Sequence, residues 1–310
     1  MARQNAPQAS PYLIRDINTT SNPFVMKSKY PDFKIVEATR PAFDSSAPIT
    51  ISKTPNPDWK YGDGAGDKAS LGKQHVEIDP FEEGRPMLSN YKVLISGVPR
   101  PISFVSTRSK DGVGNLAPFS YFQVVDHNPP IFVIGFSARA QRPKDSLRNL
   151  LETGECVINV VSEHMIEAVN ASSIDVPYGV SEWALSGLHA ALSTTVKPAR
   201  VKEAIFSVEG KLLEVKSLDY HGPGKTGKPT GSLAIIEATR FWVQEDAIND
   251  ERDQIDLSVM HPLTQLGGIS YGRVRETFEL PRPSFAAELE KKGEELGRFL
   301  GATTDGQEQT

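Results

Sequence analysis

The amino-acid sequence predicts a mainly β fold: a barrel interrupted by a few helices, with an extended N-terminal arm before it and a C-terminal helix after it. Two observations carry the barrel. Between about 76 and 245 the chain runs as short apolar stretches bounded by turn residues, at 100–106, 119–125, 131–136, 156–161, 206–215 and 232–243. Few helical segments interrupt them, and strands so closely spaced favour a barrel over a doubly wound sheet. A third observation sets the flanks. Residues 1–75 are rich in Pro, Ser, Asn and Gly with little sustained periodicity, whereas 285–299 places apolar residues at helical spacing among Glu and Lys, just after Pro281-Arg282-Pro283. The expected division is an arm over 1–75, a barrel domain over 76–275, and a helix with a polar tail over 276–310.

Two helical segments are expected inside the barrel region. Over 145–154, Leu147, Leu150 and Leu151 fall on one face, and Gly154 stands where a left-handed cap would end the helix. A second, shorter helix is expected over 163–171.

Composition excludes several classes. With 310 residues and 38% apolar content the chain can bury a substantial core, so it is expected to be globular. Its 34 basic and 39 acidic residues give a net charge of −5, and no stretch gathers Lys and Arg into a face that would follow a polynucleotide. Nucleic acid is not an expected partner. Neither is a membrane, because no run approaches the ~20 apolar residues a bilayer span needs and the N-terminus lacks a signal-peptide pattern. The single cysteine, Cys156, sits in an apolar run and reads as a core residue; without a disulfide, a cytoplasmic location is the expectation.

Some motifs invite a reading they do not support. Residues 222–228 (Gly-Pro-Gly-Lys-Thr-Gly-Lys) match the first seven positions of a nucleotide-hydrolase phosphate loop, but Pro229 stands where the magnesium-binding hydroxyl belongs and no amphipathic helix follows. They read as a turn between strands. The six histidines include no pair at i, i+4 spacing around a glutamate, and there is no Cys-x-x-Cys, so no dedicated metal site is expected. No Gly-x-Ser-x-Gly elbow marks a hydrolase nucleophile.

The informative region is 99–161. Arg100, Pro101 and Ile102 begin a strand that ends on the hydroxyls of Ser106 and Thr107, and Lys110-Asp111-Gly112 supplies a turn. Next come Gly114, Asn115, Leu116, Ala117, Pro118, Phe119 and Ser120, where small residues and a proline fix an extended backbone able to bond a planar polar ring. An ordinary loop entering a strand is the plainer alternative. From Ser137 to Ser146 the chain carries Arg139, Arg142, Lys144 and two serines before the 145–154 helix. Cations beside the positive end of a helix dipole form an anion site for which a terminal phosphate is the simplest occupant; a basic, capped helix start is the alternative.

The order of these pieces resembles a known family. Pro-Arg-Pro-Ile, Val-Ser-Thr, Asn-Leu-Ala-Pro-Phe-Ser, a double proline at 129 and 130, Lys-Asp-Ser-Leu-Arg-Asn and Thr-Gly-Glu-Cys-Val-Ile-Asn are similar in series to the flavin-reductase-like proteins with an FMN-binding split barrel. The similarity spans roughly 90 to 245, and the segment from Gly267 to Tyr271 looks like that family's closing segment. The resemblance implies that Arg100, Pro101, Ile102, Ser106 and Thr107 approach a flavin. It implies that Asn115, Leu116, Ala117, Pro118, Phe119 and Ser120 lie along the isoalloxazine. Ser137, Arg142, Lys144, Asp145 and Ser146 would lie near the phosphate, with Ser146 in place of the more usual Thr.

The resemblance further implies FMN as cofactor, NADH or NADPH as co-substrate, and a homodimer with the flavin near the subunit interface. A small-molecule substrate or electron acceptor would complete the reaction. The leading expectation is hydride transfer from reduced nicotinamide to bound flavin and on to an acceptor. The alternatives are a flavin-dependent oxidase or oxygenase acting directly on an organic substrate, and a flavin- or haem-binding module without turnover. No acid–base residue stands out as catalytic, as befits chemistry carried by a cofactor.

Overall fold

The structure is a computed structural model that describes residues 33–137, 143–219 and 229–300. Arg139, Arg142 and residues 222–228 lie outside them, as do the first part of the arm and the end of the tail. The chain forms two compact units, one from residues up to 47 together with 80–273, the other from 48–79 together with 274 onward.

The first unit is built on a seven-stranded, wholly antiparallel sheet. Its strands are β1 (Ser103–Arg108), β2 (Gly114–Phe119), β3 (Phe122–His127), β4 (Pro130–Ser137), β5 (Glu155–Val160), β6 (Phe206–Asp219) and β7 (Pro229–Val243). The order across the sheet is β2-β1-β5-β6-β7-β4-β3. The apolar runs at 131–136, 156–161, 206–215 and 232–243 each became a strand. The run at 119–125 did not stay whole: Ser120 and Tyr121 divide β2 from β3, and the stretch beginning at Gly114 is itself a ladder strand paired with β1.

Side-chain alternation in β1 and β2 explains why the sheet curls around a core and also carries a second one. Val105, Ala117 and Phe119 point into the barrel with Ile134, Phe136, Ile158, Val208 and Ile236. Phe104 and Leu116 point the other way, joining Ile102, Val161, Met165 and Val169. Cys156 is buried in the barrel core, where desolvation pushes its thiol up to about 12, so it packs as a small apolar residue.

Two longer helices belong to this unit. α1 (Met87–Gly97), which the sequence pattern did not signal, precedes the barrel. It buries Ile95 and leaves Met87, Tyr91 and Leu94 exposed, with Val98 exposed just beyond its end. α2 (Asp145–Thr153) buries Leu147 and Leu150 against the barrel. Gly154 ends α2 at φ 71°, donating its amide to the Leu150 carbonyl at 2.8 Å. The helix expected over 163–171 begins with a 3-10 turn at Glu163–Met165 and continues as α3 (Ile166–Ala171). α4 (Glu182–Ser186) follows.

One loop is fastened with unusual thoroughness. Glu209 on β6 is sealed from solvent and accepts hydrogen bonds from the Thr194 and Thr195 amides, the Thr195 hydroxyl and the Trp242 indole. Burial pushes its carboxyl up, but these donors outweigh burial and hold it below the ordinary glutamate value. Arg200 stacks over the Trp242 ring at 3.7 Å, its guanidinium pushed down by desolvation.

In the second unit, Thr50–Ser52 and Glu276–Phe278 pair as parallel strands. A 3-10 turn, Lys68–Gly72, is capped by Asp67, which accepts from the Ala69 amide at 2.9 Å. α5 (Phe285–Leu300) contains a non-helical residue at Lys292, φ −134° and ψ 35°. The Lys292 ammonium lies 5.4 Å from the centre of the Tyr61 ring. Among the described residues no helix is long and apolar enough to cross a membrane.

Candidate functional site

The N-terminal turn of α2 opens onto a cavity of about 110 Å³. Its walls are Asn115, Ala117, Pro118 and Phe119 of β2, then Lys144, Asp145 and Ser146, the segment from Ser172 to Val176, and Glu182. Seven of the sequence-expected residues thus meet at one place. The reason is local geometry. Asn115, Ala117 and Phe119 share one face of an extended strand, and Ser146 lies on the first turn of the helix packed across it.

Polar groups tie strand to helix. The Asn115 amide donates to Ser146 Oγ at 2.9 Å, and one turn later Asn149 donates to Thr107 Oγ1 at 3.1 Å. The Tyr178 hydroxyl donates to Asn149 Oδ1 at 3.1 Å, and Arg148 stacks on the Tyr178 ring at 3.9 Å. Lys144 precedes α2 with extended backbone and gives it no side-chain cap. Its ammonium lies 6.0 Å from the centre of the Phe119 ring. A cation and the outward amides of a helix start suit an anion. Against them stand three carboxyl groups, on Asp145, Asp175 and Glu182. Burial pushes the Glu182 carboxyl up, and the Asp145 charge adds to the effect while a 3.0 Å bond from the Leu116 amide opposes it.

Comparison with known proteins decides the family. The flavin reductase like domain matches residues 95–260, more than half of the chain. The chain belongs to that family. Two solved structures resemble it in sequence as well as fold. The Bacillus cereus nitrilotriacetate monooxygenase component B is 31% identical with a TM-score of 0.61, over 67% of this chain and 100% of its own. The Pseudomonas fluorescens 2-nitrobenzoate 2-nitroreductase NbaA is 26% identical with a TM-score of 0.58, over 68% of this chain and 98% of its own. A Shewanella frigidimarina protein with a split barrel domain, 20% identical with a TM-score of 0.54 over 66% of this chain and 98% of its own, shares the fold. The barrel is therefore a flavin-reductase-like split barrel, and the chain a flavin-related oxidoreductase.

Within this flavin-reductase-like barrel the other expected residues take different places. Arg100 is buried and donates to the Ile95 and Val98 carbonyls at 2.8 Å each, to the Leu266 carbonyl at 3.2 Å and to Ser120 Oγ at 3.2 Å. It fastens the end of α1 to the strand start. Pro101 is exposed, while Ile102 and the Leu116 side chain belong to the second core. Ser106 donates to the Ala199 carbonyl, and Thr107 lines a different cavity. Ser137 ends β4 on an exposed position, and Arg142 is not among the described residues.

Sequence reasoning passed over Glu182, Asn149 and the segment from Ser172 to Val176. A signal existed for Asn149: it follows Ser146 by one turn, a second polar residue on a face where Leu147 and Leu150 are buried. Glu182 carried none.

Proposed function

We propose that the chain is an FMN-dependent oxidoreductase that accepts hydride from NADH or NADPH and passes electrons to a small-molecule acceptor. The observation that carries this is the cavity at the start of α2, where Lys144 and the helix amides face Asn115 and the rest of the β2 wall. A terminal phosphate held at a helix start suits a mononucleotide. FMN supplies the hydride chemistry when bound. The chain's own residues bind and orient: Lys144 pairs with the phosphate, Ser146 is fixed by Asn115, and the edge strand β2 offers backbone groups to the ring. The names of the two sequence-similar neighbours, a monooxygenase component and a nitroreductase, support an oxidoreductase serving a further acceptor.

Purified protein is expected to be yellow and to release FMN on denaturation, and anaerobic mixing with NADH or NADPH should bleach its visible band. A colourless protein that fails to bind FMN in titration ends the cofactor reading. A yellow protein bleached by neither nicotinamide ends the reductase reading.

The assembly we propose is a homodimer. A cavity of 110 Å³ accommodates a phosphate but falls well short of the ~300 Å³ or more of a site enclosing a whole ligand. The remaining wall would come from a second copy. Exposed apolar side chains on Tyr91 and Leu94 of α1, and on Val124 and Val125 of the edge strand β3, support this reading. Light scattering is expected to give twice the mass of one chain, and the mass of a single chain at micromolar concentration would overturn it.

A further inference from the structure

A second cavity of about 240 Å³ has Thr107 in its wall, the residue whose hydroxyl takes the Asn149 bond, and shares no lining residue with the first. Among the described residues its cations are Arg108 and Lys197, and no carboxylate lines it. Among the described residues the Lys197 ammonium and the Trp183 indole N–H have no hydrogen-bond partner, and Arg108 uses only Nε, on the Gly112 carbonyl at 2.9 Å. Glu155, outside the lining, accepts from the Lys197 backbone amide at 2.9 Å.

Both glycines here make room for the side chains that shape the cavity. A β-carbon on Gly114 would lie 3.1 Å from Trp183 Nε1 and 3.2 Å from Cδ1, so the indole rests directly on the strand backbone. Gly112, at φ 89°, takes a conformation that side-chain-bearing residues rarely adopt, and a β-carbon there would lie 3.0 Å from an Arg108 terminal nitrogen. The 197–199 part of the lining is held as well. Glu209 fixes Thr194 and Thr195, and Ser106 binds the Ala199 carbonyl, so Lys197 and Pro198 sit on a pinned loop. Ala190, Pro198 and Ala199, all small or flat, share the lining with the indole.

We infer that this cavity is a binding site for a small planar aromatic anion, its ring lying in the slot beside Trp183 and its carboxylate or phosphate meeting Arg108 and Lys197. Unpaired donors of one sign, with no acid among the lining side chains, select an anion. A flat indole lining the same cavity as small residues selects a ring. The volume, below the usual ~300–1,000 Å³, restricts the ligand to about the size of a single substituted ring.

Isothermal titration of the full chain with benzoate and with phenyl phosphate separates the two anion sources, with benzyl alcohol as the uncharged control. At least one anion is expected to bind with a dissociation constant of about 0.1–1 mM, and benzyl alcohol at least tenfold more weakly. Arg108→Gln and Lys197→Gln should each weaken the anion about tenfold, and Trp183→Phe less than either. Lys144→Ala, at the other cavity, should leave it unchanged, which keeps the outcome independent of the flavin reading. The inference is overturned by no saturable binding of either anion up to ~10 mM, by equal affinity for benzyl alcohol, or by unchanged affinity in the Arg108→Gln, Lys197→Gln double variant with a wild-type circular dichroism spectrum.

Discussion

Lys144→Ala is expected to weaken FMN binding by about ten- to a hundredfold while changing riboflavin affinity little. Among the described residues the cavity offers a single lysine to a dianion, and a hydrogen bond to a charged group contributes roughly 1.5–3 kcal/mol. Ser146→Ala should cost less, because the Ser146 hydroxyl already accepts from Asn115 and sits beneath the helix start instead of reaching out as a charge. Riboflavin is the control that separates a phosphate contact from general damage, since it lacks the phosphate and keeps the ring. Fluorescence titration of both ligands decides the matter. Equal losses for the two, or none for FMN, would show that Lys144 is a solvated lysine at a helix start.

Glu209→Ala is expected to destabilise the fold by about 3–5 kcal/mol in urea unfolding. Four donors converge on this sealed carboxylate, and truncation strands two backbone amides and an indole N–H together, leaving the Thr195 hydroxyl only Thr239. Glu209→Gln should cost less, roughly 1–3 kcal/mol, because one amide oxygen still accepts while the NH₂ meets donors. The pH dependence follows from linkage. Folding holds this carboxyl below the ordinary value, so the unfolded chain binds its proton more readily. Its stabilisation is complete above about pH 4.3, the ordinary glutamate value, and drains away as pH falls through the folded one. The wild-type chain should therefore lose more stability than Glu209→Gln on acidification below that point. A Glu209→Ala cost under about 1 kcal/mol would mean the loop finds its place without the carboxylate.

What could be read in the sequence, and what could not, divides along a physical line. Buried strands such as β4 and β5 are continuous apolar runs, and their signal is local. The first turn of α2 was legible too, since cations, a helix start and a preceding strand lie within a dozen residues. α1 was not. Its exposed residues Met87, Tyr91 and Leu94 follow helical spacing, but they occur among Pro86, Pro99 and other turn-forming residues that argue for a connecting segment. The hydrogen-bond partners of Ser106 and Glu182 were not legible for another reason. Ser106 was expected to face a ligand, yet its hydroxyl is taken by Ala199, 93 positions away. Glu182 reaches the site only because α4 packs on β2, bringing its carboxylate to the Leu116 amide 66 positions upstream. No window of sequence contains either partnership, so periodicity and motif cannot find them.

The pairing of Thr50–Ser52 with Glu276–Phe278 sets an order of events for biosynthesis. The Thr50 amide bonds the Arg275 carbonyl, 225 positions later, so the early half of the second unit emerges from the ribosome long before its complement exists. At ~5–20 residues per second, that interval lasts on the order of ten to fifty seconds. The whole intervening barrel, from β1 to β7, is translated within it. The first unit is thus free to fold while the chain is being made, whereas the second closes only once residues 276–278 have been made. A ribosome stalled before residue 276 would carry an assembled barrel and an unmatched strand at Thr50–Ser52.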